Sequence, residues 1–403
     1  MEKQYDLSQG ARRMAEVKPS MIRVIMNRAS ELQLQGHDVI RFSAGEPDFD
    51  TPSDIKEATI RAITNNQTHY ASNKGYPLLR KKISEYVLWE TGQAYDPETE
   101  ILVTSSAAEA LNNSILAFVD KDDEVIILEP AFVSYNCLAG ECEAKVVKVP
   151  LDPGQGFQVD LDALRAAVSE KTKLLMLNNP SNPTGCVLSR ESLTEIARLA
   201  EEYNFLVVAD EIYSRLVYDG AEFCSMASIP GMRDRVILVS GFSKAYAMTG
   251  WRLGYIAADA KLLSLILRVH QYSTTCSPTF IQVGVAEGMD TPRTKKEIIE
   301  MVAAFDKRRK MVMEGVDAIE GLSCVRPRGA FYMMVNVKGL GIGGYDFAMR
   351  FLEEKYVATV PAVGLGEETD SFIRIAYTTS DDRIAEGLAR LKEFCAELRA
   401  SRG

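Results

Sequence analysis

The chain has 403 residues, enough for two or three domains at about 150 residues each. Its 46% hydrophobic and 25% charged residues are those of an ordinary globular protein, not of a disordered or fibrous one. The 46 Lys and Arg against 56 Asp and Glu leave a formal charge of −10, a field that repels phosphate backbones and anionic membranes and argues against nucleic acid as a partner.

The N-terminal residues lack the charged-then-apolar order of a secretory signal. The longest apolar run, Ala330 to Val335, is far shorter than the roughly 20 residues of a membrane span. Seven Cys, without a Cys-x-x-Cys pair, predict reduced thiols in a cytoplasmic protein, and Cys137 and Cys142 are expected to stay unpaired. Three scattered His (37, 69 and 270) argue against a zinc site.

Along the chain, helical spacing first appears at Met21–Gln33. From residue 101 onward short apolar runs alternate with helical patterns. Ile101–Thr104, Glu124–Leu128, Lys173–Leu177, Phe205–Ala209 and Val236–Val239 are expected as strands, and Ala107–Phe118 and Glu191–Tyr203 as helices. Strands buried on both faces between helices predict an α/β fold with a largely parallel sheet, whose ligands bind at the carboxyl ends of the strands. Toward the C-terminus, Lys295–Ile319 and Arg383–Leu398 read as amphipathic helices, the latter with Ser380 as N-cap. Ala330–Val337 and Phe372–Ala376 read as strands between them. The expected division is a large α/β domain at 48–290 and a smaller α+β domain made of 1–47 with 291–403. The glycine-rich 339–344 lacks the spacing of a phosphate or dinucleotide loop and is expected to be mobile.

Three strand ends carry chemistry-bearing residues. After Ile101–Thr104, Ser106 and Glu109 have the spacing of a capping box, and free amides at such a helix start can hold an anion or bind nothing. At the end of Phe205–Ala209, Asp210 is either a helix N-cap or a carboxylate aimed at a cationic ligand atom. After Val236–Val239, Lys244 lies among small residues with Arg252 eight positions on, and a crowded lysine loses pKa and becomes a nucleophilic amine.

Gly241 to Gly254 resembles, at every constrained position, the attachment site of class I aminotransferases that use pyridoxal phosphate. Other pieces of that pattern follow in order: Ser43–Phe49, Tyr70 with Gly75, Asn179–Gly185, Asp210 with Tyr213, Gly329–Tyr332, and Arg374 within Phe372–Ala376. The resemblance spans nearly the whole chain and implies fold type I, a homodimer with shared active sites, and transfer of an amino group between an L-amino acid and a 2-oxo acid. A lyase or synthase using the same apparatus is the alternative. A cofactor-sensing regulator would need a DNA-binding module, for which no basic segment is left over.

What the resemblance implies for single residues is specific. Lys244 carries the cofactor as a Schiff base and moves the substrate proton. Asp210 faces the pyridine nitrogen, Tyr213 and Asn182 the ring oxygen, and Phe132 stacks on the ring face. The amides of Ala107 and Ala108, with Ser243 and Arg252, hold the phosphate, and Tyr70 reaches it from the other subunit. Arg374 clamps the substrate carboxylate, helped by Gly45 and Asn182. A dicarboxylate substrate needs a second cation, for which Lys18, Arg23 and Arg328 are candidates. The apolar 19–22 and the presence of Phe132 favour aromatic or aliphatic donors, with glutamate or 2-oxoglutarate as the second substrate.

Overall fold

The computed structural model describes residues 10–15, 17 and 21–401. An eight-stranded sheet runs in the order Ile101–Thr104, Gly254–Ala258, Val236–Gly241, Leu206–Asp210, Thr172–Asn178, Glu124–Glu129, Lys145–Asp152 and Gln158–Val159. The consecutive pairs from Val236–Gly241 to Lys145–Asp152 are parallel; Gly254–Ala258 is antiparallel to both neighbours, as is Gln158–Val159 to its own.

Alternation along each strand builds the two faces. Val103, Ile126, Leu175, Val207 and Leu238 join one apolar cluster, while Leu102, Val125, Leu174, Val208 and Ile237 join another on the opposite face. The five strands expected for this sheet all form within two residues of their expected ends. Gly254–Ala258 and Lys145–Asp152 were not foreseen. The first opens on glycine and ends on two alanines, which carry little strand preference, and the second is interrupted by the exposed Lys145 and Lys148.

The C-terminal part forms a four-stranded antiparallel sheet, Ser323–Cys324, Tyr332–Asn336, Phe372–Ala376 and Val360–Pro361. The N-terminal helix Met21–Leu34 packs here, with Ile25, Ala29 and Leu32 against Leu352 and Ala358, and Ile40–Arg41 pairs with Val357–Ala358. The helices Pro292–Asp317 and Asp381–Ala400 pack against each other, and Ser380 caps the second as expected.

The glycine-rich stretch is not loose. Lys338–Leu340 is a turn of 3-10 helix leading into the helix Gly344–Lys355, and a Cβ on Gly344 would lie 2.3 Å from the Phe372 carbonyl. Close backbone approach explains the glycine there. All seven cysteines are free. Among the described residues no helix is long and apolar enough to cross a membrane, and no cluster of His, Cys, Asp and Glu could hold a metal ion.

Candidate active site

The carboxyl ends of the parallel strands open into a cavity of about 510 Å³, closed on its other side by Ser43–Glu46, Tyr332 and Arg374 from the C-terminal sheet and its surroundings. Lys244 follows Val236–Gly241, and its Nζ donates to the Gly45 carbonyl at 2.6 Å. Burial lowers the Lys244 pKa to about 8; Glu46 opposes that shift, and Arg252 and Arg374 reinforce it. Asp210 ends its strand on the same cavity. Its Oδ2 accepts from the Tyr135 hydroxyl at 2.8 Å and its Oδ1 from the Ile212 amide at 3.2 Å. Burial nevertheless raises its pKa to about 6, because two donors do not compensate a buried carboxylate.

Arg374 is almost wholly buried. Nη1 donates to Asn182 Oδ1 at 3.0 Å, Nη2 to the Ser43 carbonyl at 3.1 Å, and Nε is buried without a hydrogen-bond partner among the described residues. The guanidinium lies 4.6 Å from the centre of the Tyr332 ring, and the Tyr332 hydroxyl is 3.0 Å from that of Tyr213. The carbonyl that Arg374 meets is that of Ser43, while Gly45 lines the cavity close by. Gly45 instead accepts from Lys244 and makes room for Tyr332, whose hydroxyl would lie 2.8 Å from a Cβ there.

The expected capping box does not form. Ser106 has φ +94°, outside the extended conformation usual for a capping serine, and its side chain makes no capping hydrogen bond. Glu109 instead accepts from the Ser105 amide at 2.5 Å, while its Oε1 lies 2.8 Å from His270 Nδ1 and accepts from Thr274 at 2.7 Å. The helix Ala107–Phe118 therefore starts with no side-chain cap, and its first amides at Ala107 and Ala108 line the cavity. Arg252, also at positive φ (+55°), lines it with Ser243. Two strained non-glycine residues at one cavity are the pattern of a constrained binding site.

Phe132, Asn182, Tyr213 and Gly45 line the same cavity, so all the expected residues but one meet there. The exception is Tyr70, which is 86% exposed on this chain and absent from its own cavity wall. Among the candidate second cations, Arg23 lines the cavity beside Ile22 and Met26, Arg328 does not, and Lys18 lies outside the described residues. Sequence reasoning gave no role to Tyr135, Tyr332, Ser43 or the Glu109–His270 pair.

The donor set fits pyridoxal phosphate. A buried acid short of a cation suits a protonated ring nitrogen, unpaired helix amides with Arg252 suit a phosphate, and a neutralisable amine suits an aldehyde. The unpartnered Arg374 Nε suits a carboxylate.

Comparison with known proteins agrees. The family described as aminotransferase class I and II matches residues 37–391. An aspartate aminotransferase of Pyrococcus abyssi is 38% identical over 96% of this chain and 98% of its own length. Aromatic-amino-acid aminotransferase 2 of Thermococcus litoralis is 35% identical over 96% of this chain and 98% of its own. Among solved structures, the Thermus thermophilus aspartate aminotransferase with maleate superposes with a TM-score of 0.91 at 36% identity, covering 95% of this chain and 99% of that one.

Proposed function

The chain belongs to the class I and II aminotransferase family, and from that premise we propose that its cavity transfers amino groups between a large apolar L-amino acid and 2-oxoglutarate through the residues named above. The enzyme is a pyridoxal-phosphate-dependent aminotransferase of fold type I that exchanges an amino group between an amino acid and a 2-oxo acid. Its relatives favour transfer over elimination. The observation that carries the reading is the convergence of Lys244, Asp210 and Arg374 on one cavity.

Pyridoxal phosphate supplies an aldehyde for the amine and a ring that takes up the electrons left when the substrate Cα–H bond breaks. Lys244 holds the cofactor and then carries the proton from the substrate Cα. At pH 7 a lysine of pKa about 8 is neutral about one time in ten, against about one in three thousand for an ordinary lysine. Asp210 keeps the ring nitrogen protonated, and Tyr135 fixes the carboxylate's orientation. Tyr213 and Asn182 would serve the ring oxygen and Phe132 would cover the ring face, all three lining the cavity. Arg374 grips the substrate carboxylate, with Asn182 and Ser43 holding its fork in place.

The amides of Ala107 and Ala108, with Ser243 and Arg252, hold the phosphate. Gly254 packs beneath this turn, and a Cβ there would lie 2.5 Å from the Ala107 nitrogen and 2.5 Å from the Ser106 carbonyl carbon. Gly254→Ala must therefore displace the helix start. Its affinity for pyridoxal phosphate should fall at least about tenfold while that for dephosphorylated pyridoxal is kept, since the damage is to phosphate contacts. Equal losses for both would remove the turn from the phosphate site.

A homodimer belongs to the same reading, with Tyr70 serving the phosphate of the partner's site; its 86% exposure on the single chain supports this. So does cytoplasmic residence, supported by seven free cysteines. The proposed division is 48–290 for cofactor binding and 1–47 with 291–403 for the smaller domain, supported by the packing of Met21–Leu34 on Leu352 and Ala358.

Ile22, Met26, Leu111 and Phe132 give the cavity an apolar side and support aromatic or aliphatic donors. Relative kcat/KM on phenylalanine, leucine and aspartate tests this, with phenylalanine or leucine expected first. A preference of about 100-fold for aspartate, nearly 3 kcal/mol, would overturn it. Arg23 in the cavity wall carries that second reading, in which Arg23→Ala lowers kcat/KM for aspartate and leaves that for phenylalanine unchanged.

A further inference from the structure

A second cavity of about 830 Å³ lies between the helix Pro77–Thr91 and the first half of the helix Pro292–Asp317, and it shares no lining residue with the first. One cation in its wall is surrounded by three aromatic rings. The Arg215 guanidinium carbon is 4.8 Å from the Tyr86 ring centre, 5.4 Å from that of Tyr246 and 5.9 Å from that of Trp89. Arg215 Nε donates to the Tyr86 hydroxyl at 3.2 Å; among the described residues its Nη1 and Nη2 donate to nothing and no carboxylate oxygen comes within 4.0 Å of it, the Glu90 charge acting on it only across a longer gap.

Glu90 lines the same wall. It accepts from the Tyr86 hydroxyl at 2.5 Å and has no cation within ion-pair distance among the described residues; burial pushes its carboxyl above the usual range although Tyr86, Ser214 and the more distant Arg215 all favour its charge. The other charges are satisfied or solvated: Lys82 pairs with Asp290 at 2.6 Å and approaches Glu85 at 3.9 Å, and Lys295 is exposed. Apolar surface completes the wall, including Trp89 and Ile299, which are 74% and 68% exposed.

An anion placed here would satisfy Arg215 and be repelled by Glu90, and an amine the reverse. A molecule carrying both charges compensates both half-buried groups, and a large apolar tail covers the exposed rings. We propose that this cavity binds a free α-amino acid with a large apolar side chain, its carboxylate on Arg215, its ammonium on Glu90 and its side chain against Trp89 and Ile299. This does not rest on the identity of the substrate in the first cavity.

Trp89 is one of only two tryptophans and lies in the wall, so its fluorescence reports occupancy. The test uses holoenzyme carrying Arg374→Gln, reduced with borohydride so that the first cavity neither turns over nor clamps a carboxylate. Titration with L-phenylalanine should give a saturable change in fluorescence and a matching heat by calorimetry. Phenylpropionate and phenethylamine, each lacking one charge, should bind at least tenfold more weakly. Arg215→Gln and Glu90→Gln should each raise the Kd for phenylalanine at least tenfold. Absence of saturable binding overturns the proposal, as does equal binding of phenylpropionate. The two analogues are read on the protein with this wall unaltered, so the result stands even where a wall variant fails to fold.

Discussion

Lys244→Ala abolishes amino-group exchange, lowering kcat by at least about 10⁴-fold, the upper range for a positioned acid–base group, with loss of the covalent attachment as well. The purified variant is expected to be colourless after dialysis, because noncovalent contacts alone hold the cofactor. The same amine sets a pH dependence. With the Lys244 pKa lowered to about 8 by burial, the neutral, nucleophilic form gains with rising pH through 8 and levels off above it. The rate at which the cofactor-free enzyme takes up pyridoxal phosphate should follow that single titration. A rate still climbing steeply at pH 10 would mean an ordinary solvated lysine. Visible absorbance of Lys244→Ala that borohydride fixes covalently to the chain would place the attachment elsewhere.

Lys244 and Asp210 could be singled out from the sequence because each lies at or just beyond the carboxyl end of a buried strand and brings a charge that burial makes costly, whereas Arg374, in the middle of its strand, was marked only by the family resemblance. Tyr135 was not. It lies 75 positions from Asp210, and a tyrosine after a strand reads as core until the fold brings its hydroxyl to the carboxylate. Tyr332 and Ser43 were quoted within motifs, but their partners Tyr213 and Arg374 come from distant segments. The one signal for Tyr135 was its place three residues after Phe132, at the start of the helix Ser134–Glu141. The capping box failed for a different reason. Its spacing was correct, but the positive-φ backbone of Ser106 depends on packing against Gly254, and Glu109 was drawn to His270, 161 positions on. In the sheet, apolar run length located the buried parallel strands. It missed Gly254–Ala258, whose place between two antiparallel neighbours depends on the tertiary fold rather than on its own five residues.

Asp210→Ala leaves Lys244 able to hold the cofactor but lowers kcat by about 10³-fold, near 4 kcal/mol, the scale of losing one preorganised electrostatic group. The argument runs from the carboxylate's environment. Burial raises its pKa to about 6 although Tyr135 and the Ile212 amide both stabilise the charge, so the site is incomplete without a cation. A protonated ring nitrogen would supply that cation, and a carboxylate paired with it would hold the nitrogen protonated at neutral pH. Without it the ring loses its pull on the substrate Cα electrons, and proton removal by Lys244 becomes the slow step. Substrate deuterated at Cα should then show a larger isotope effect on kcat in Asp210→Ala than in the parent enzyme. Tyr135→Phe removes one hydrogen bond and keeps the charge, so its loss should be about tenfold, in line with one bond to a buried ion. If Asp210→Ala loses no more than Tyr135→Phe, the acid does not face the ring nitrogen, because only that pairing makes the full negative charge worth more than its hydrogen bond.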